Sequence, residues 1–134
     1  MLRSSCAGII AIVAWFLAAS VGNRLMRAVL PGYAEVEAAM TFTLVMQVCR
    51  LVLGLVSSLC AGFVCAAIAG PKRTAEKVVA CGLVLLFLPV HYSLWDKFPV
   101  WYHIFFLVTL APAVLAGAAL YSKCVGRESR VAAQ

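Results

Sequence analysis

Charge is what this sequence has least of. Only 12% of its 134 residues are charged, five of them acidic (Glu35, Glu37, Glu76, Asp96 and Glu128), while 65% are hydrophobic. A water-soluble domain of this size leaves much of its surface in water and cannot hide that much apolar area, which excludes a soluble globule. The acids all sit outside the cores of the apolar runs. That counts against a proton-coupled transporter, whose substrate path carries an ionisable group. Enzyme signatures are missing as well: there is no Gly-x-Ser-x-Gly, no His-Glu-x-x-His and no phosphate-binding loop, so no catalytic residue is assigned.

The six cysteines contain no Cys-x-x-Cys pair and lie mostly inside apolar runs, where they read as small buried residues. Two histidines are too few for a zinc site on this face of the protein. They could serve as axial haem ligands, but they fall near one end of a tight hairpin with nothing else in support. No metal and no cofactor is assigned. The net charge of +6 comes from basic residues beside apolar runs, where membrane topology alone would put them, and nucleic acid is not an expected partner. Ser4-Ser5-Cys6-Ala7-Gly8 faintly resembles a lipoprotein cleavage site but no apolar region precedes it, and Ala18-Ala19-Ser20 is followed by more membrane sequence, so the first run reads as an uncleaved span.

What the sequence does have is four apolar runs, each long enough to cross the ~30 Å hydrocarbon core. They predict an all-α integral membrane four-helix bundle made of two helical hairpins. The spans cover residues 4–23, 50–70, 78–94 and 100–121 of one membrane domain, and residues 122–134 form a polar, basic tail that frays. Arg24 to Leu30 extends the first helix beyond the core until Pro31-Gly32 stops it. Glu35 and Glu37 open the second helix, where acids suit the dipole. Counting back from Gly70 puts Arg50 at the membrane boundary, with Ala38 to Cys49 projecting beyond it under the helix-one extension and the third loop. Pro89 and Pro112 fall inside the third and fourth helices.

Seven basic residues (Arg3, Lys72, Arg73, Lys77, Lys123, Arg127, Arg130) lie on the side of the two termini and four (Arg24, Arg27, Arg50, Lys97) on the other. The positive-inside rule then predicts both termini in the cytoplasm, that is, a multi-pass protein of the inner (plasma) membrane.

Small residues recur at every fourth position of the second run: Gly54, Ser58, Gly62, Ala66 and Gly70. Residues four apart share a helix face, so the five form a furrow almost without side chains. Such a furrow lets another helix approach to backbone distance, a main source of association in lipid, and it reads as a packing surface rather than a pore. Ala113 and Gly117 form a second close-packing pair. Arg50 stands one step before Gly54 in the same series and is the only charge between Ala38 and Gly70.

Arg50, Gln47 one turn before it, His91, Asp96 and His103 are expected to meet at one end of the bundle. There they would line a polar pocket with Tyr92, Trp101 and Tyr102 as walls. Its chemistry would be recognition of an anionic or polar ligand, Arg50 as a forked donor and the histidines as donors or proton acceptors. The plainer reading is that Arg50 reaches headgroups or pairs with Asp96, and that the histidines are anchors in an aromatic belt.

The segments Gly70-Pro71-Lys72-Arg73 and Phe98-Pro99-Val100-Trp101-Tyr102-His103, with Pro112, resemble small four-span bacterial inner-membrane proteins of unestablished function. By size the chain also looks like the small multidrug-resistance exporters. Those depend on a glutamate in the first span, and residues 4–23 have none, so that likeness is rejected. Two classes of function stay open. One is a non-enzymatic bundle acting through helix contacts, as an accessory or assembly subunit with a membrane-protein partner or as a homo-oligomer. The other is a small transporter or ligand-binding protein using the polar pocket, with haem or quinone binding as a weaker variant.

Overall fold

A computed structural model of the protein describes residues 2–70 and 74–131, with side chains for 4–70 and 74–125. Pro71, Lys72, Arg73 and residues 132–134 lie outside these, as do the side chains of Arg3, Arg127 and Arg130. Five helices follow in order, α1 (Leu2–Val29), α2 (Tyr33–Glu37), α3 (Leu44–Ala69), α4 (Thr74–Ser93) and α5 (Val100–Val131), with no strand among the described residues. Four of them, all but α2, are long and apolar enough to cross a membrane. Their outward faces carry large apolar side chains such as Ile9, Leu17, Leu85 and Val108, as lipid requires and water would penalise. The protein is thus a small multi-pass membrane protein, an all-helical bundle of two long hairpins.

The hairpin ends are set by backbone chemistry. Pro31-Gly32 breaks α1, and Gly32 takes φ +73°, a value only glycine adopts without strain. Thr43 caps α3 by accepting the amide of Met46 at 3.4 Å. Gly70 ends α3 at φ +76°, its N–H returning to the Ala66 carbonyl at 3.0 Å.

Two expectations change here. The second helix does not open at Glu35 and Glu37 and run on. Those residues form the short α2, Met40 sits at φ +57°, and residues 38–43 cross the end of the bundle before α3 begins. The turn lets Tyr33 (0% exposed) and Phe42 fold inward, burying aromatic surface that a continuous helix would have held in the open. Glu76 lies in the first turn of α4, which starts at Thr74, and is buried. At the far end of the chain, α5 continues as helix through Val131 where a fraying tail is expected.

α3 is the centre of the bundle, packed along α1 on one side and α5 on the other; α4 closes against α5 and meets α1 and α3 more sparsely. The furrow explains the first two contacts. A Cβ at Gly62 would overlap the backbone carbonyl of Val114, and a Cβ at Gly117 that of Leu59, so α3 and α5 meet backbone to backbone. Gly54 receives the ring of Phe106, which a Cβ would meet at 2.7 Å. Ser58, also in the furrow, accepts the indole N–H of Trp15 from α1 at 3.0 Å and donates to the Gly54 carbonyl at 2.7 Å. Ala66 and Ala113 are buried. Gly70 has open space around it and acts as a cap.

Candidate functional site

The end of the bundle that holds α2 and the 94–99 turn, here called the hairpin end, contains a chain of linked polar side chains and both buried histidines; Ser57, Ser58 and Glu76 are buried elsewhere. The series begins outside, where Arg27 Nε donates to Glu37 Oε2 at 2.6 Å, the ion pair found among the described residues. Asn23 donates to Glu37 Oε1 at 2.8 Å, and Tyr33 donates its hydroxyl proton to Asn23 Oδ1 at 2.8 Å. The same Tyr33 oxygen accepts from Arg50 Nη1 at 2.7 Å. The Arg50 guanidinium also lies 4.6 Å over the face of Phe42 and beside the Tyr102 hydroxyl.

Arg50 is therefore turned inward. It stands six residues, about 9 Å, along α3 from Leu44. It makes no ion pair with Asp96, which is exposed in the turn. Its Nε is buried and lacks an acceptor.

Glu37 belongs to the short connection outside the long helices. The Arg27 guanidinium and the Asn23 amide hold its carboxyl below the usual carboxylate range. Since the folded value is the lower one, this contact stabilises the connection above the ordinary carboxylate range and is lost as the pH falls below it, through the lowered value. Acidification should accordingly lower the amide protection factors of residues 33–43, taken relative to the intrinsic exchange rate at each pH, before it touches those of α3. Glu37→Gln should remove that pH dependence.

Next to Arg50 stand the two histidines, both buried at 6% and 1% exposure, with Nδ1 of His91 2.8 Å from Nδ1 of His103. Trp95 stacks on His103 at 4.9 Å. They are interior groups and not belt anchors. Two neutral imidazoles at this distance share one proton, so one Nδ1 donates and the other accepts. The Nε2 of His103 is buried without a partner. Burying an unpaired donor is the rarer arrangement in proteins, which favours His103 Nδ1–H donating to His91 and leaves the His91 proton on Nε2.

These groups border a cavity of about 320 Å³. Arg50, His91, Tyr102, Asn23 and Glu37 line its hairpin end; Trp15, Phe16, Phe87 and Phe106 line the rest. Of the residues expected to form the pocket, the structure brings Arg50, His91 and Tyr102 to it. Gln47, Tyr92, Asp96, Trp101 and His103 do not line it. Gln47 turns back to donate to the Phe42 carbonyl at 3.1 Å. Tyr92 is 83% exposed, Trp101 is also exposed, and both face outward as a belt does. His103 lies behind His91.

Asn23, Tyr33 and Glu37 are the polar residues that sequence reasoning passes over. Their signal was an amide and two side-chain oxygens clustered around Pro31-Gly32, where a chain reversal brings them together.

Among the described residues no group of three or more His, Cys, Asp or Glu is placed to hold a metal ion. The chain matches no protein-family model, no curated protein and no solved structure. The resemblance to four-span inner-membrane proteins rests on its motif residues alone.

Proposed function

We propose that this membrane protein binds an anionic or polar ligand in the cavity beneath its hairpin end. The observation that carries the reading is the guanidinium of Arg50, held by tyrosine hydroxyls and an aromatic face at one end of a cavity, with no carboxylate in ion-pair contact with it among the described residues. A charge in apolar surroundings is costly unless a counter-charge is supplied, and a ligand is the natural supplier. The furrow favours this reading over that of an assembly subunit, because α5 of the same chain fills it. The excess of lysine and arginine on the side of the termini supports an orientation with the hairpin end outside and both termini in the cytoplasm of the cell.

The test is mass spectrometry of what co-purifies with the protein in mild detergent. Wild type is expected to retain an anion that Arg50→Met lacks. An identical set of bound molecules in both overturns the reading. A partner chain recovered equally with both would move the function to assembly.

A further inference from the structure

We infer that the ligand is a single-chain anionic amphiphile, a long-chain carboxylate or phosphate monoester, which slides from the bilayer through the seam between α1 and α4. This rests on the ligand-binding reading above and names the ligand's class.

The opening comes first. The exposed residues of the cavity wall are Phe16 and Ser20 of α1 and Val90 of α4. Toward the hairpin end the cavity is covered by Met26, Met40 and Leu94, all only part-exposed. The mouth therefore lies between α1 and α4, helices that meet sparsely. Around it stand Leu17 and Leu86, exposed on the same outward surface as the rest of the lipid-facing side chains. A ligand using this mouth comes out of the hydrocarbon, not out of water.

The lining is graded along its length. Donors gather at one end: Arg50, the Tyr102 hydroxyl and the His91 Nε2–H argued above. The other end is ringed by Trp15, Phe16 and Phe87, with Trp15 and Phe87 4.6 Å apart. From Phe16 to Asn23 is seven residues, about 10 Å of helix. That length suits a polar head followed by several methylenes. A volume of about 320 Å³ is at the low end for ligand cavities, so the cavity encloses the head and the start of one chain while the rest leaves through the seam.

The sign of the head follows from the charges. Glu37 is the acid on the wall, and both its oxygens are taken, one by Arg27 and one by Asn23. Arg27 and Glu37 cancel, which leaves the unit positive charge of Arg50. A forked guanidinium suits a carboxylate or phosphate oxygen pair.

The experiment measures radiolabelled dodecanoate retained by the full chain in phosphatidylcholine nanodiscs, corrected for empty discs, beside butanoate (same head, a short chain) and dodecanol (same chain, no charge). Saturable retention of one dodecanoate per chain is expected, at least tenfold tighter than either comparison compound. Arg50→Gln should weaken it tenfold or more. Ser20→Trp, at an exposed position in the mouth, should weaken it without altering thermal stability, and this variant decides the matter if Arg50→Gln does not fold. Equal retention of butanoate overturns the amphiphile while sparing the anion site. Equal retention of dodecanol overturns the charged head. Absence of dodecanoate retention, with the anion of the co-purification test still bound to wild type, overturns the class alone; absence of both removes the site.

Discussion

Gly62→Val is expected to unseat α5 and destabilise the bundle by more than about 3 kcal/mol, beyond the ~1–3 kcal/mol usual for an overpacked core. The difference lies in what the new side chain meets. A Cβ at position 62 overlaps the carbonyl of Val114, which is backbone and cannot rotate aside. Gly117→Val meets the Leu59 carbonyl in the same way and should be as severe. Gly54→Ala should be milder, because it meets the ring of Phe106, which can turn. Gly82→Ala, with nothing within 4 Å, is the control, and should be neutral or gain up to about 1 kcal/mol from helix propensity. Thermal unfolding in detergent, read together with size-exclusion elution, checks the series. If Gly62→Val melted like wild type but changed oligomeric state, the furrow would be serving a second copy instead of α5.

Tyr33→Phe is expected to cost about 2–4 kcal/mol, although it removes a single oxygen. That oxygen accepts from Arg50 and donates to Asn23, so two of the interior's polar contacts end on it. Without it the guanidinium, already missing an acceptor at Nε, keeps only Tyr102 and the face of Phe42. A buried charge stripped of a partner is more costly than no charge at all. The double variant Tyr33→Phe/Arg50→Met should thus be more stable than Tyr33→Phe, a coupling that a double-mutant cycle of reversible unfolding measures directly. Strictly additive losses would show that the Tyr33–Arg50 bond contributes nothing to the fold.

The expectations that fared worst concern which polar groups meet. Gln47 is one turn from Arg50 on the same helix, so shared-face reasoning joins them. The break in the helix at residues 38–43 instead supplies the Phe42 carbonyl to Gln47, and the short α2 before it supplies Tyr33 to Arg50. Tyr92, Trp101 and Tyr102 look alike in sequence as aromatics around a turn, yet only Tyr102 faces inward, at 5% exposure. Which way each points depends on how α4 and α5 are rotated against α3. Periodicity within one helix carries no information about that rotation. Trp15 is a related case: an indole N–H in an apolar run requires an acceptor, but nothing local identifies Ser58, forty-three positions away, as the one.

By itself the sequence determined the solvent and the architecture. Four apolar runs with charge confined to their ends have no stable state in water, and in lipid the backbone must satisfy itself as helix. The spacing of Gly54, Ser58 and Gly62 also determined that some helix would come close. Only the tertiary structure decided that this helix is α5, that Arg50 looks inward at Tyr33, and that a cavity opens between α1 and α4. Those outcomes depend on a chain reversal at Gly32 and on close backbone approaches between residues more than fifty positions apart. Long-range contacts are chosen by competition among whole helix faces, and no single stretch of the chain contains both competitors.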